Sequence, residues 1–195
     1  TTMPGDRGLH VHEAFLGRVS YAEGLSLQKK LRGELVESGT SGCAGYLIHL
    51  EHDPVITNGR FGHDDNLRFP EKELRERGVE VYETDRGGDF TYHGPGQLVS
   101  YPILNLRKLG VGAKDYICCL EKAVIRVLSD YGIEAVTRTG YPGVWAGTEK
   151  IASVGVSIGR GVTMHGTALN ISTDINYFSM IVPCGIDGVR MTSIL

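Results

Sequence analysis

Residues 144–158 read VWAGTEKIASVGVSI. Gly147 and Thr148 favour a tight turn, and β-branched or aromatic residues lie on both sides of them, so this stretch predicts a β-hairpin. Residues that alternate along the second strand are expected to share one of its faces, and they are Lys150, Ala152, Val154, Val156 and Ile158. After a glycine-bearing loop at 159–161, residues 162–171 are expected to return as a third strand. The last third of the chain is therefore predicted to form antiparallel hairpins.

Two helices are predicted ahead of this β-rich region. Ser20 and Glu23 form a capping box, which satisfies orphan backbone amides at the start of a helix expected over 21–38. Apolar residues recur at helical spacing over 113–131, which predicts the most regular helix of the chain. Helix and strand signals alternate irregularly, and no linker divides residues 1–195, so we expect a single domain of the α+β class.

The composition excludes several classes of protein. The formal net charge is −3, from 20 basic and 23 acidic residues, whereas a nucleic-acid-binding protein is expected to carry a basic surface. No apolar run approaches the ~18 residues of a transmembrane helix. The four cysteines lack the spacing of a zinc site or a disulfide framework, and His10 and His12 give only a weak indication of a metal site. We therefore expect a reducing, cytoplasm-like compartment, no cofactor or metal ion, and no binding to nucleic acid or membrane.

The most unusual segment spans residues 86–97 and reads RGGDFTYHGPGQ. Its four glycines and one proline exclude a helix, and its polar side chains lie on a backbone that can approach a ligand closely. The spacing matches neither a Walker loop nor a dinucleotide-binding turn. On this evidence the segment is either part of a binding site or a tight connection between two strands.

Cys184 is the second candidate for chemistry, because it lies between a proline and a glycine and is expected on a rigid bend. A nucleophilic cysteine must be a thiolate, and a free thiol with a pKa of ~8.5 is only slightly ionised at neutral pH. Lys150 could supply the missing positive charge, or it could extend to solvent from the end of its strand. His93 or His165 could act as a base instead, which would indicate a hydrolase. The residues by themselves leave these alternatives open, together with a purely structural cysteine.

Five motifs occur in one order along the chain. They are residues 86–97, Gly143-Val144-Trp145, Lys150-Ile151-Ala152-Ser153-Val154-Gly155, His165-Gly166-Thr167-Ala168-Leu169-Asn170 and Pro183-Cys184-Gly185. Together they resemble the lipoyl(octanoyl) transferases, also called octanoyl-[acyl-carrier-protein]:protein N-octanoyltransferases. The resemblance extends over residues 17–192. Each motif is modest alone, and their common order makes the resemblance specific.

The resemblance implies a fold, a reaction and two kinds of protein partner. The fold is that of the biotin and lipoate protein ligases, a mixed β-sheet flanked by helices. The reaction moves an octanoyl group from acyl carrier protein to one lysine on the lipoyl domains of oxo-acid dehydrogenase complexes or on the glycine-cleavage H protein. It is the first step of endogenous protein lipoylation, and it uses no ATP, metal or redox cofactor.

The resemblance also implies roles for individual residues. Cys184 carries the acyl group, and Lys150 keeps its thiol ionised. The substrate-binding positions are Arg86, Gly87, Gly88, Asp89, Phe90, Thr91, Tyr92, His93, Ser153, Val154, Gly155, Gly166, Thr167 and Ala168. We expect the glycines among them to open a groove for the octanoyl chain, lined by Val154 and Leu169. Asp89 departs from the family, whose members more often carry a neutral or basic residue there.

Two other functions stay open beside octanoyl transfer. One is an ATP-dependent lipoate–protein ligase, which needs the lysine but no acyl-carrying cysteine, and the other is a non-catalytic module that binds acyl carrier protein. The motif around Cys184 favours the transferase. We expect a monomer in the cytoplasm, or in a mitochondrion if the chain is a eukaryotic member without its presequence. Family members continue past the position of Leu195, so the resemblance also implies a further C-terminal segment.

Overall fold

Two β-sheets and four α-helices form the described part of the computed structural model, which covers residues 8–37, 42–186 and 188–195. In chain order the strands are β1 (His10–Val19), β2 (Cys43–His52), β3 (Val55–Asn58), β4 (Glu80–Glu83), β5 (Thr91–His93), β6 (Gln97–Leu104), β7 (Val136–Arg138), β8 (Tyr141–Ala146), β9 (Glu149–Gly159) and β10 (Val162–Asn170). The α-helices are α1 (Tyr21–Glu37), α2 (Glu71–Glu76), α3 (Leu106–Leu109) and α4 (Ala113–Asp130). Short 3₁₀ helices span Asp64–Asn66, Ile175–Met180 and Pro183–Gly185.

The larger sheet has the strand order β1-β2-β6-β10-β9-β8-β7. Strands β1 and β2 run parallel at one edge, and the other neighbouring pairs are antiparallel. The smaller sheet has the order β4-β3-β5, with β3 parallel to β4 and antiparallel to β5. The predicted α+β fold with a mixed sheet is therefore confirmed, as are the hairpin formed by β8 and β9 and the returning strand β10.

Helix α1 packs against β2, β6 and β10 of the larger sheet. Its capping box forms as predicted: the Ser20 amide donates to the Glu23 carboxylate at 3.1 Å, and the Glu23 amide donates to the Ser20 hydroxyl at 3.3 Å. Leu31 and Leu35, one turn apart, are buried in the core between the helix and the sheet. The predicted last residue of this helix, Ser38, lies outside the described residues.

Helix α4 packs against β8, β9 and β10. Val124 and Leu128, also one turn apart, contact a second core that contains Val144 and Leu169. The helix ends one residue before the predicted range of 113–131. None of the helices in the described ranges combines the length and the apolar character that a bilayer crossing requires.

The two sheets meet around a cavity. Strand β5 of the smaller sheet and strands β6, β9 and β10 of the larger one all contribute lining residues, as does the loop at 86–89 that precedes β5. The 3₁₀ turn Pro183–Gly185 packs against β5 from the C-terminal part of the chain. The fold thus brings segments that are distant in the sequence to one place.

Candidate active site

The cavity has a volume of about 460 Å³, which is within the range of small-molecule sites. Its surface is mostly apolar, and a few polar side chains converge in it. All of the site residues predicted from the sequence line it except Phe90 and Tyr92. The predicted residues that do line it are Arg86, Gly87, Gly88, Asp89, Thr91, His93, Lys150, Ser153, Val154, Gly155, Gly166, Thr167, Ala168 and Cys184.

Phe90 and Tyr92 lie in the apolar core around the smaller sheet instead. The reason is the alternation of side chains along a strand: Thr91 and His93 of β5 are on the cavity side, so Tyr92 between them projects to the opposite face. Phe90 still contributes through its backbone, because its carbonyl oxygen accepts a hydrogen bond from the Cys184 amide at 2.9 Å. The structure therefore gives these two residues a supporting position behind the cavity wall.

Lys150 and Cys184 face each other in the cavity, with 3.0 Å between Nζ and Sγ. Lys150 is only 1% exposed, and none of the ion pairs among the described residues includes it. An ammonium group that is removed from water needs a hydrogen-bonding or charged partner. The Cys184 sulfur is such a partner, and it is the hydrogen-bond acceptor that the structure places beside the buried Lys150 nitrogen. Of the two sequence-based alternatives for Lys150, the structure thus shows contact with the thiol.

A β-bulge turns Lys150 towards the cavity. In the hairpin, Val144 is opposite Ala152, whereas Trp145 is opposite Lys150, so β9 carries one extra residue at Ile151. Consecutive residues of β8 lie on opposite faces, and their partners therefore do so too. Ala152 packs in the core beneath α4, while Lys150 lies on the other face, in the cavity. The prediction that these two residues share a face is wrong, because regular alternation does not continue through a bulge.

The backbone of Cys184 adopts φ 58° and ψ 20°, a left-handed conformation that residues other than glycine rarely adopt. Pro183 precedes it in the 3₁₀ turn, and Gly185, with φ 65°, follows it. Such a conformation costs about 1–3 kcal/mol and persists only where surrounding contacts impose it. Here the hydrogen bond from the Cys184 amide to Phe90 is one such contact. The strained turn presents the sulfur to the cavity.

Several neighbours hold Lys150 in position. Its amide donates to the Arg190 carbonyl oxygen at 2.8 Å, and its own carbonyl oxygen accepts from the Thr192 amide at 3.0 Å. Gly143 leaves room for the side chain, because a β-carbon there would lie 2.5 Å from Lys150 Cε and 3.2 Å from Nζ. The Trp145 ring lies 5.9 Å from Nζ, within the range of a cation–π contact. Both the backbone and the side chain of Lys150 are therefore held in place.

Arg86 holds the glycine-rich loop in place. Its guanidinium donates to the Thr57 carbonyl oxygen at 2.6 Å, to the Thr57 hydroxyl at 2.8 Å and to the Gly87 carbonyl oxygen at 3.1 Å. The Gly87 amide donates to the Val156 carbonyl oxygen at 2.9 Å, which ties the loop to β9. Burial lowers the pKa of Arg86, and the nearby Cys184 thiol opposes that shift. Arg86 is thus a second cationic group near the sulfur.

Asp89 links this loop to the turn that carries the cysteine. Its carboxylate accepts hydrogen bonds from the Phe90 amide at 2.6 Å and from the side-chain amide of Asn66 at 2.5 Å. A β-carbon on Gly185 would lie 2.5 Å from Asp89 Oδ2, so the glycine permits a close approach of the carboxylate. The Asp89 carboxylate is therefore hydrogen-bonded within the cavity wall.

Gly155 and Gly166 are paired across β9 and β10, but their missing side chains serve different purposes. A β-carbon on Gly155 would lie 3.1 Å from Arg86 Cδ, next to the cavity. A β-carbon on Gly166 would lie 2.6 Å from Pro102 Cδ, so this glycine allows β10 to approach β6. Leu169, which we expected to line the groove, packs beneath α4 instead. Of the two expected groove residues, Val154 alone is in the cavity wall.

The two histidines that the sequence offered as a base have other partners. His93 Nδ1 is 2.7 Å from Gln97 Oε1, and burial lowers the pKa of His93 to about 3, so this ring is neutral near pH 7. His165 Nε2 is 2.7 Å from Asp85 Oδ1, and this hydrogen bond holds the pKa of the carboxyl well below its usual value. Within the described residues, the Cys184 sulfur is hydrogen-bonded to the lysine. The geometry therefore favours a lysine–cysteine pair over a cysteine–histidine hydrolase.

Comparison with known proteins identifies the family. Residues 20–195 match the family model of the lipoyl protein ligase A/B catalytic domain. The chain belongs to this family. An octanoyltransferase from Alkaliphilus metalliredigens is 44% identical over 192 residues, which cover 95% of this chain and 84% of the relative. An octanoyltransferase from Solibacter usitatus is 51% identical over 173 residues, which cover 88% of this chain and 76% of the relative. The mitochondrial octanoyltransferase LIP2 of Arabidopsis thaliana is 44% identical over 182 residues, which cover 92% of this chain and 74% of the relative.

Solved structures share the fold of this lipoyl protein ligase A/B family member at low sequence identity. P. falciparum LipL1 in complex with lipoate aligns with a TM-score of 0.73 over 95% of this chain and 55% of that chain, at 15% identity. Lipoate-protein ligase A bound with ATP aligns with a TM-score of 0.67 over 95% of this chain and 76% of that chain, also at 15% identity. At this identity the likeness establishes the fold alone, and it agrees with the mixed sheet described above.

In this family member the cavity also contains residues that the sequence analysis missed. They are largely aromatic or aliphatic, and include Tyr21, Phe61, Tyr101, Ile117, Tyr141 and Ile186. Each comes from a different part of the chain, and none belongs to a motif with recognisable spacing. Phe61 lies at the cavity with 71% of its surface exposed, which marks an apolar rim. Single apolar residues scattered in this way form no pattern in the sequence, so the folded chain is needed to find them.

Proposed function

We propose that this chain is an octanoyltransferase of protein lipoylation, and that it carries the octanoyl group as a thioester on Cys184. The observation that carries the proposal is the 3.0 Å separation of Lys150 Nζ and Cys184 Sγ in a largely apolar cavity. The curated relatives named octanoyltransferase support the same reaction. Burial of six methylenes at ~0.8 kcal/mol each adds about 5 kcal/mol of gross binding free energy for the acyl chain.

In the first half-reaction, the Cys184 thiolate attacks the thioester carbonyl of octanoyl-acyl carrier protein. The new carbon–sulfur bond replaces the bond to the carrier sulfur, which takes a proton from the Lys150 ammonium and leaves as a thiol. One thioester replaces another, so this step needs no ATP. It leaves octanoyl-Cys184 beside the neutral amine of Lys150.

In the second half-reaction, the ε-amine of the acceptor lysine attacks the carbonyl of octanoyl-Cys184. The Lys150 amine accepts the proton that the attacking nitrogen loses, and Cys184 leaves as a thiolate. The product is an amide, which is more stable than a thioester, so this step makes the transfer favourable. The ammonium–thiolate pair is restored at the end of the cycle.

The other predicted residues that line the cavity are proposed to bind the substrate. The loop at 86–89 and the facing positions of β9 and β10 enclose the acyl chain and the reacting carbonyl. The Cys184 amide is already bonded to Phe90, and the Gly87 amide is bonded to Val156, so neither is available to stabilise an oxyanion. We propose that other backbone amides of the loop serve that purpose.

We propose acyl carrier protein as the donor, and the lipoyl domains of oxo-acid dehydrogenase complexes and the glycine-cleavage H protein as acceptors. Residues 1–195 are proposed to act as one catalytic unit and as a monomer, without a cofactor. The compartment that we propose is the cytoplasm, or the mitochondrion for a eukaryotic member. The rate of transfer to each acceptor, measured at equal concentrations, ranks the acceptors.

Intact-mass spectrometry after incubation with octanoyl-acyl carrier protein tests the covalent route. The wild-type chain is expected to gain one octanoyl group that hydroxylamine removes, and to pass it to a lipoyl domain without ATP. Cys184→Ser is expected to lower transfer by at least ~10³-fold, because it removes the nucleophile. Cys119→Ser changes an exposed cysteine on α4 and is expected to behave as wild type. The proposal would be contradicted if the wild type modified the lipoyl domain while its own mass showed no octanoyl group.

The same assay separates the alternatives that the sequence left open. A lipoate–protein ligase would need ATP and would use free octanoate. A non-catalytic module would bind the carrier and show no gain of mass. A cysteine–histidine hydrolase would release free octanoate instead of modifying the acceptor.

A further inference from the structure

A second cluster of reactive side chains lies away from the cavity, at the edge of the larger sheet. His10 and His12 belong to β1, and Cys43 is the first residue of β2. One donor atom from each, an imidazole nitrogen or the thiol sulfur, lies within 4.8 Å of the others. Within the described ranges this is the one group of three such residues placed so closely. None of the three lines the cavity.

An irregularity in the strand pairing brings the three residues together. Strand β1 is parallel to β2, with His10 opposite Cys43 and His12 opposite Tyr46. Residues two apart share one face of a strand, so both imidazoles project to the same side. Cys43 and Tyr46 are three apart and would lie on opposite faces of a regular strand, but the register shift inserts an extra residue at Ala44. The shift places the thiol on the side of the imidazoles.

Aromatic rings and one weak hydrogen bond surround the cluster: the Cys43 thiol donates to the Gly45 carbonyl oxygen at 3.6 Å, and this bond is given up when the sulfur binds an ion as a thiolate. The rings of His10 and His12 meet edge to face with centroids 4.9 Å apart, and the Tyr46 ring stacks on His12 at 5.6 Å. The Lys108 ammonium donates to the carbonyl oxygen of Cys43 at 3.2 Å, so the cation contacts the backbone there. Cys43 is half-buried and both histidines are exposed. The imidazoles can therefore rotate towards an ion without disturbing the core.

The donor set matches the chemistry of zinc. Two imidazoles and a thiolate are ligands that zinc accepts readily, whereas calcium and magnesium prefer oxygen. With Zn–N of ~2.0–2.1 Å and Zn–S of ~2.3 Å, tetrahedral ligands lie about 3.4–3.6 Å apart. The donor atoms, at up to 4.8 Å, must therefore close by about 1 Å, which small side-chain rotations provide. Three protein ligands leave the fourth position to water.

We propose that His10, His12 and Cys43 bind one divalent transition-metal ion, with zinc as the best match, and that this ion joins β1 to β2. Strand β1 is at the edge of the sheet, most of its residues are exposed, and its one neighbour in the sheet is β2. An edge strand with one neighbour has a single ladder of hydrogen bonds. The ion adds a cross-link at the start of both strands. Since the cluster is outside the cavity, the ion acts on the stability of this edge.

Cobalt(II) is a suitable probe, and the parent protein for the experiment is Cys184→Ser, which removes the active-site thiol as a competing ligand. One equivalent of cobalt is expected to produce thiolate-to-metal charge-transfer absorption and the visible bands of a four-coordinate ion, and zinc is expected to displace it. In calorimetric titrations, Cys43→Ser and His12→Ala are each expected to weaken zinc binding by more than about 100-fold. Loss of a residue that only hydrogen-bonds to a metal ligand typically weakens binding by about 10–100-fold, and loss of the ligand itself is expected to exceed that. Zinc is expected to raise the Tm of the parent and of neither variant.

Matched controls come from the other cysteines. Cys118→Ser and Cys119→Ser change adjacent thiols on α4 and are expected to leave the cobalt spectrum unchanged. Circular dichroism and the metal-free Tm establish whether Cys43→Ser and His12→Ala fold. His10 is exposed, so His10→Ala is a third variant that removes a proposed ligand without affecting the core. The proposal is overturned if the parent shows no thiolate–cobalt absorption, if that absorption persists in Cys43→Ser, or if it disappears in Cys119→Ser. These outcomes do not depend on octanoyl transfer.

Discussion

The Lys150 ammonium has lost nearly all contact with water, and the Cys184 sulfur lies 3.0 Å from it. Removal of the cysteine would leave the buried Lys150 ammonium without compensation, which typically destabilises a protein more than the pair itself stabilises it. Arg86, bonded to Thr57 in the wall, adds a second positive charge near the sulfur. Two basic side chains, Lys150 and Arg86, therefore lie near the Cys184 sulfur.

Gly155 is predicted to limit the length of the acyl chain. A β-carbon there would lie 3.1 Å from Arg86 Cδ and 3.2 Å from the Gly87 carbonyl oxygen, so a larger side chain must extend into the cavity. Gly155→Val is expected to shift the preferred acyl chain by roughly two carbons towards shorter donors and to lower kcat/KM for octanoyl by about 10–100-fold. Rates with butanoyl, hexanoyl and octanoyl carriers measure the shift.

The matched control for this prediction is Gly33→Val on α1, where no atom lies within 4 Å of the added β-carbon. That variant is expected to keep the wild-type chain-length profile. An unchanged profile in Gly155→Val would mean that the octanoyl chain does not run past β9.

The β8–β9 hairpin determines where the lysine lies, and two glycines serve it differently. Gly143, with φ 122°, borders the Lys150 side chain, whereas Gly147, with φ 57°, occupies the turn, where a β-carbon would have no atom within 4 Å. The bulge at Ile151 then turns Lys150 away from the core under α4. The position of the Lys150 ammonium thus depends on the space at Gly143 and on the register shift at Ile151.

Gly143→Ala is predicted to displace Lys150 from Cys184. Because a displacement of about 1 Å at a catalytic group can lower a rate about 100-fold, we expect acyl-enzyme formation to slow by at least that factor. Gly147→Ala introduces strain at a positive φ without touching the lysine, so it is expected to lower the free energy of unfolding by about 1 kcal/mol and to leave the acylation rate within about twofold. Rapid-quench acylation and urea unfolding measure both quantities, and equal acylation rates in the two variants would refute the assignment.

Across the whole molecule, the junction of the two sheets contains buried histidines. The rings of His52 and His93 are 6.0 Å apart, and His52 Nε2 is 2.7 Å from the Tyr101 hydroxyl. Burial lowers the pKa of both histidines, that of His93 to about 3. The folded protein therefore keeps them neutral at a pH where the unfolded chain, with histidine pKa values of ~6.5, is protonated.

This difference predicts acid sensitivity. Below pH ~6.5 the unfolded state binds more protons than the folded state, so the free energy of unfolding falls as the pH is lowered towards the folded pKa. His93 alone is expected to contribute a loss of about 2 kcal/mol between pH 7 and pH 5. Urea midpoints at the two pH values measure the loss, and His93→Gln is expected to reduce it. His63→Gln changes an exposed histidine and is the control that should retain the wild-type dependence. A wild type equally stable at both pH values would rule this explanation out.

Local sequence was sufficient for many elements of the fold. The Ser20–Glu23 capping box, the turn at Gly147 and the helical spacing of α4 all depend on residues that are neighbours in the chain, and each element appears where it was predicted. The order of the five motifs likewise indicated the family before any contact was known. These signals are readable because hydrogen-bonding and apolar periodicity act over a few residues.

By itself, the sequence determined the class of fold, the family resemblance and the presence of Cys184 and Lys150. Only the tertiary structure decided that the thiol is bonded to the lysine and not to a histidine, that Tyr92 faces the core, and that Cys43 joins two histidines of another strand. For Lys150 and Cys43 the physical reason is that one extra residue in a strand reverses which face the residues beyond it occupy. No local pattern in the chain indicates such a shift, because it arises from the pairing of strands that are distant in the sequence.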